Sequence, residues 1–194
     1  MRLGVFGGTF DPPHNGHLAL CLYAREMLVL DLLIISVSKN PFKSASDAPD
    51  EDRATMAKLL AAEINSTGSI VEVSGWELDQ PGASYTIDLL RHVGSLYPGD
   101  ELVLLVGEDS YRDMGRWKSS ADIPSLCTIA VFGRPGFNAA GAASGSVLPQ
   151  AEHFVFDIPV SATSVRNLVA GGQPIHHLVP PTIEAYIASR GLYR

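Results

Sequence analysis

Residues 3–17 read Leu3-Gly4-Val5-Phe6-Gly7-Gly8-Thr9-Phe10-Asp11-Pro12-Pro13-His14-Asn15-Gly16-His17. A short apolar run, Leu3 to Phe6, breaks at Gly7-Gly8; a polar turn follows, then an amphipathic helix that begins near His17. Strand, glycine turn and helix start together form a phosphate seat, because backbone N–H groups and the positive end of the helix dipole converge there. His14 and His17 stand at that spot with Gly16 between them. Imidazoles donate hydrogen bonds to phosphate oxygens, and a glycine lets a polyphosphate approach the backbone. These residues point to nucleotide chemistry on an α/β scaffold.

Outward from this stretch, strand-like and helical patterns alternate. Leu32 to Val37, Ile70 to Val73, Leu102 to Val106, Thr128 to Phe132 and His153 to Phe156 read as strands. Several are almost continuously apolar, as strands covered on both faces are. Between them His17 to Leu28, Glu51 to Ala62 and Tyr85 to Leu96 carry apolar residues at helical spacing. The alternation predicts a doubly wound parallel sheet. Ser84 and Ser161 are candidate N-caps, the latter for a helix starting near Thr163. Pro180-Pro181-Thr182 opens a last helix and Gly191 closes it. Ser38 to Asp52 reads as loose, and Gly136 to Gln150, rich in Gly, Ala and Ser, as a mobile surface loop. Ligands of such sheets bind beyond the C-terminal strand ends. The loops Gly7 to His17, Ser36 to Lys43 and Gly107 to Asp109 are therefore expected to line one cleft.

The bulk composition narrows the function classes. The 194 residues suit one domain spanning 1–194, and 46% hydrophobic with 18% charged content is ordinary for a globular chain. A net charge of −7 disfavours a general nucleic-acid or anionic-membrane surface, so an anionic substrate must meet local positive groups. Cys21 and Cys127 lack metal spacing and read as reduced core residues. The N-terminus reads as a strand from residue 2, with no room for a signal peptide, and no apolar run approaches bilayer length. A cytoplasmic location is expected.

Two histidines three residues apart also suit zinc, but no HExxH and no nearby Cys or carboxylate set completes such a site. Nor is the turn a GxGxxG dinucleotide fingerprint, which weighs against a dehydrogenase. A second anion seat is legible near the C-terminus. Ser161 and Thr163 at a helix start offer hydroxyls and backbone N–H groups, with Arg166 one turn on. The two seats read as cationic pockets facing one triphosphate from opposite sides. Lys39 and Lys43 flank Asn40-Pro41-Phe42 in a loop, where lysines are usually solvated.

Gly7-Gly8-Thr9-Phe10-Asp11-Pro12-Pro13-His14-Asn15-Gly16-His17 resembles the signature of the nucleotidylyltransferase superfamily, with its HxGH motif. Val160 to Arg166, VSATSVR, is similar to the ISxTxxR helix start of adenylyltransferases. In order and spacing, four further features resemble bacterial nicotinate-nucleotide adenylyltransferases. They are Ala83-Ser84-Tyr85-Thr86, Gly107-Glu108-Asp109-Ser110 with Trp117, Gly133-Arg134-Pro135-Gly136, and the ending Gly191-Leu192-Tyr193-Arg194. The resemblance spans nearly the whole chain. It implies a Rossmann-like nucleotidylyltransferase fold with a small C-terminal helical extension. It also implies adenylyl transfer from ATP to nicotinate mononucleotide, giving nicotinate adenine dinucleotide and pyrophosphate in NAD biosynthesis. His14, His17 and Arg166 take catalytic roles in that comparison. ATP falls to Gly7, Gly8, Thr9, Phe10, Gly16, Gly107, Asp109, Ser161, Thr163 and Arg166. The mononucleotide falls to Lys43, Tyr85, Thr86 and Trp117, with the choice between Lys39 and Lys43 open. Mg²⁺ is expected to accompany ATP through its phosphates, without a protein cage. The alternatives are nicotinamide mononucleotide or phosphopantetheine as acceptor, or a nucleotide sensor without catalysis. The tail's apolar residues leave room for a homo-oligomer.

Overall fold

In the computed structural model, residues 1–39, 47–68, 70–135 and 148–194 are described. Lys43 and most of the glycine-rich stretch from 136 to 150 lie outside them. The elements in chain order are β1 (Arg2–Gly8), α1 (Asn15–Leu28), β2 (Leu32–Val37), α2 (Asp50–Asn65), β3 (Val71–Ser74), α3 (Trp76–Asp79), α4 (Thr86–Leu96), β4 (Glu101–Gly107), α5 (Glu108–Asp113), β5 (Thr128–Gly133), β6 (Glu152–Val155), α6 (Ala162–Ala170) and α7 (Pro181–Arg190). All six strands run parallel in the order β3-β2-β1-β4-β5-β6. The strand order reverses between β1 and β4, and a crevice forms beyond the carboxyl ends of such a pair.

The apolar strand runs divide between two cores because successive side chains point to opposite faces. On β4, Leu102, Leu104 and Val106 pack with Leu3, Val5, Ile87, Leu90 and Val93 on one face. Val103 and Leu105 pack on the other with Leu20, Cys21, Met56, Leu60, Val165 and Ile183. Helices α1, α2, α6 and α7 thus cover one face and α4 the other, the doubly wound arrangement that the alternation predicted.

The structure moves several boundaries. β1 continues through Gly7 and Gly8, which pair with Ser36 and Val37, so the turn begins only at Thr9. Parallel pairing to β2 carries the glycines, although neither has a side chain to pack. Helix α1 starts at Asn15, two residues before the expected position, with His14 as N-cap. Ser161 caps α6 as expected, accepting from the Ser164 N–H at 3.1 Å. Ser84 does not cap α4; Tyr85 occupies that position, and the Ser84 hydroxyl is drawn to Glu77 instead. Helix α2 begins at Asp50, inside the stretch expected to be loose. The last helix ends at Gly191 in the left-handed region, φ 62°, as a C-terminal glycine permits. Cys21 and Cys127 are both free thiols, one buried and one half-buried. No described helix is long and apolar enough to cross a membrane.

Candidate active site

The loop after β1 turns back on itself through buried Phe10, whose φ of 48° is unusual for a non-glycine residue. Its ring packs edge-on against Phe6 at 5.7 Å and against His17 at 5.2 Å, so the Phe10 side chain belongs to the core. Only its backbone remains for an ATP contact. Asp11 follows, buried, with its carboxylate accepting from the N–H groups of Asp47 (2.8 Å) and Ala48 (3.1 Å) and from the Tyr193 hydroxyl (2.8 Å). The loop is thereby tied to the entry of α2 and to the end of the chain.

His14 and His17 stack with ring centroids 3.8 Å apart. The His14 N–H donates to His17 Nδ1 at 3.1 Å, which makes Nδ1 the acceptor and places the His17 proton on Nε2. His14 is 8% exposed and its Nδ1 has no hydrogen-bond partner among the described residues. Burial lowers its pKa to about 4. His14 is therefore a neutral imidazole at pH 7, and the first seat is not cationic in the way its sequence suggested. The expected backbone donors are also partly engaged. The Asn15 N–H donates to the Leu178 carbonyl at 2.8 Å, and the Asn15 amide to that of His177 at 3.1 Å.

The second motif comes to the first. Arg166 donates to the Asp11 carbonyl at 2.9 Å across 155 residues of sequence, and its Nε pairs with Asp47 at 2.6 Å. Its other terminal nitrogen lies 3.5 Å from the Thr163 hydroxyl. A Cβ on Gly16 would sit 2.9 Å from Val160 and 3.0 Å from the His14 ring. Gly16 thus admits protein, namely the second motif, where the sequence suggested room for a polyphosphate. At Gly7 and Gly107 the reverse holds: a Cβ would meet nothing within 4 Å. Those two leave open space at the mouth of the cleft.

The site also contains a cavity of about 190 Å³. Its lining includes Gly7, Gly8 and Thr9 from the first loop, Ser38 from the second and Gly107 and Ser110 from the third, so the three expected loops do share one cleft. Tyr85, Thr86 and Trp117 line it too, together with Glu77, Ser84 and Lys118. A dry cavity of about 150 Å³ accommodates a benzene ring, so this volume suits one substituted aromatic ring. Lys118 pairs with Asp88 at 2.8 Å and sits 4.7 Å above the Tyr85 ring. His14, His17, Arg166, Ser161 and Thr163 are outside this cavity, grouped on the Asp11 side. Asp109 is exposed in the first turn of α5. Lys39 donates to the Gln80 carbonyl at 3.1 Å, and Lys43 lies outside the described residues.

A family model described as cytidylyltransferase-like matches residues 5–168, from β1 through both motifs. The chain belongs to that family. Within it, the chain is 60% identical over 195 residues to a "probable nicotinate-nucleotide adenylyltransferase" of Chlorobaculum parvum, all of both chains being covered. It is 62% identical over 193 residues to a protein of the same description from Chlorobaculum tepidum, covering 100% of this chain and 99% of the relative. The chain is thus a member of the nicotinate-nucleotide adenylyltransferase group that its motifs resemble. A solved structure of the Plasmodium falciparum nicotinic acid mononucleotide adenylyltransferase complexed with NaAD superposes with a TM-score of 0.77 at 16% identity, covering 99% of this chain and 97% of that one. That likeness is one of fold.

Several residues of this family member's site were not legible in its sequence. Arg53, 1% exposed on α2, donates to the Thr9 carbonyl (2.7 Å) and the Ser38 carbonyl (2.9 Å) and pairs with Asp50 at 2.6 Å. It joins the loops that follow β1 and β2. Glu77, Asp11 and Tyr193 are likewise positioned by contacts distant in sequence. The only available signal was an arginine on the apolar face of a helix, and that is more often a solvated neighbour of a core than its centre.

Proposed function

We propose that this chain transfers the adenylyl group of ATP to nicotinate mononucleotide. The observation that carries the reading is the bond from Arg166 to the Asp11 carbonyl, because it brings the C-terminal motif beside the histidine pair. In this mechanism a 5′-phosphate oxygen of the mononucleotide attacks the α-phosphorus of ATP in line. A new P–O bond forms, the bond to the β-phosphate bridge breaks, and its electron pair leaves on pyrophosphate. The attacking phosphate is already ionised, so catalysis rests on positioning and on matching developing charge rather than on a strong base.

His17 donates from Nε2 to an oxygen on the α-phosphorus. His14, held neutral by burial, supports the same oxygens as a hydrogen-bonding group. Arg166 receives the β and γ phosphates, which compete with Asp47 for its guanidinium. Ser161 and Thr163 border those phosphates, and Gly7, Gly8, Thr9, Gly107 and Asp109 border the nucleoside. Tyr85, Thr86 and Trp117 enclose the pyridine ring. Mg²⁺ belongs to the proposal as the companion of ATP. Its ligands would be phosphate oxygens and water, because this small hard ion dehydrates reluctantly and is usually held through substrate phosphates.

Pyrophosphate release with ATP and each of three acceptors tests the reading. Nicotinate mononucleotide is expected to exceed nicotinamide mononucleotide and phosphopantetheine. Release with none of the three would leave a nucleotide-binding protein without this activity.

A further inference from the structure

Tyr193 lies beyond α7 and takes no part in the proposed mechanism. Its backbone is in the left-handed region, φ 62°, and its side chain is half-buried against the core that α1, α2, α6 and α7 cover. A non-glycine residue keeps such a conformation where its surroundings over-determine it. Here the Tyr193 hydroxyl donates to Asp11 Oδ1 at 2.8 Å, across 182 residues. Burial, and then the Asp11 carboxylate itself, push the phenol pKa up, so the hydroxyl remains a donor at neutral pH.

Asp11 is 5% exposed, and its carboxylate accepts from the Asp47 N–H on Oδ2 and from the Ala48 N–H beside Tyr193 on Oδ1. That is the acceptor-only pattern of an ionised carboxylate. The same carboxylate governs both groups that hold Arg166. One is the Asp11 carbonyl, 2.9 Å from the guanidinium, whose direction follows the backbone of the residue so fastened. The other is the Asp47 side chain, 2.6 Å from Nε, on a residue whose own N–H is tied to Asp11.

We propose that Tyr193 is a positioning residue: through the Asp11 carboxylate, its hydroxyl sets where the Arg166 guanidinium stands to receive the triphosphate of ATP. This rests on the adenylyltransferase reading and adds to it the residue that aims the phosphate-gripping arginine. Triphosphate oxygens displace the Asp47 carboxylate from Nε, and the Asp11 carbonyl remains as the pivot of the guanidinium. Without the Tyr193 hydroxyl, Oδ1 keeps the Ala48 donor, but the loop after β1 loses its tie to the segment beyond α7 and the pivot shifts. Small misplacements of this kind are costly to a positioned reaction. None of Tyr193, Asp11, Asp47 or Arg166 lines the cavity assigned to the pyridine ring, so acceptor binding is spared.

The test measures KM for ATP and for nicotinate mononucleotide, together with Tm, in wild type, Tyr193→Phe and Tyr186→Phe. Tyr186, on α7, is the matched control: its hydroxyl donates at 2.7 Å to the buried carboxylate of Asp52, whose cation partner is Arg190. Tyr193→Phe is expected to raise KM for ATP about tenfold, with KM for the mononucleotide unchanged. Tyr186→Phe is expected to lower Tm with both KM values at the wild-type level. A Tyr193→Phe KM for ATP equal to wild type overturns the proposal. So does an equal rise in the two variants, or a parallel rise for both substrates, each the mark of general loosening. Should Tyr193→Phe not fold, wild type decides. ATP titration must then shift the Tyr193 ring resonances in NMR, because coupling between two sites is reciprocal, and unmoved resonances overturn the proposal. Absence of wild-type turnover would instead overturn the adenylyltransferase reading.

Discussion

Replacing Gly16 by alanine pits two effects of opposite sign against each other in one methyl group. Gly16 is in the first turn of α1, where alanine gains about 0.5–1 kcal/mol over glycine from backbone entropy. Against that, the new Cβ would stand 2.9 Å from Val160 and 3.0 Å from the His14 ring, where ordinary contact begins at 3.4 Å. The Val160 methyl is the end of a side chain and can yield, but it leads directly into Ser161, the cap of α6. The buried His14 ring is stacked on His17 and has little room to move. Overpacking of this kind costs about 1–3 kcal/mol. Repulsion therefore exceeds the helix gain, for a net loss of about 1–2 kcal/mol and a fall in Tm of roughly 2–8 °C for a chain of this size. Turnover should suffer more. Relieving the contact separates the two motifs by about half an ångström, and a misplacement of about 1 Å can cost up to 10²-fold in rate, so kcat should fall by about 10- to 100-fold. Pyrophosphate release gives kcat, and calorimetry gives Tm. A Gly16→Ala protein with wild-type kcat and a raised Tm would refute the idea that this glycine lets the two motifs meet.

His17→Ala should remain folded and lose about 10²–10³ in kcat, the usual cost of one preorganised donor; a near-normal rate removes His17 from the mechanism. Burial holds the His14 pKa at about 4 against an ordinary 6.5, so between those values the unfolded chain binds the extra proton. Stability from this group is complete above pH 6.5, falls as the pH drops toward 4, and amounts to about 3 kcal/mol at most. Melting curves across that window should show an acid decline that His14→Gln flattens; identical slopes would contradict the assignment. Arg53→Met strands the carbonyls of Thr9 and Ser38 and should destabilise by about 2–5 kcal/mol, read as a lower urea midpoint with unchanged slope. An unaltered midpoint would show that water replaces the guanidinium.

Much of the frame was legible because its signals are local. Period-two and continuous apolar runs located the five later strands to within a residue or two, and the N-cap at Ser161 and the C-cap at Gly191 were read correctly. Errors arose where a local signal had a distant competitor. Gly7 and Gly8 looked like a turn, but pairing with β2 extends β1 through both. Ser84 looked like a cap, but Glu77 takes its hydroxyl. His14 looked like a cation, but the packing around it removes the water that a charge would need. The short α3 and α5 carried too few residues to show a period.

The linear chain was enough to declare a doubly wound sheet and the family, and to locate the two motifs by which that family is known. Each of those is written in residues within about one or two turns or strands of one another. Folding alone decided which groups meet: Arg166 with Asp11 across 155 residues, Tyr193 with Asp11 across 182, and Glu77 with Ser36 across 41. Such pairs follow from the order in which six strands lie side by side, a choice made by burial over the whole sheet and not encoded in any short window of side chains.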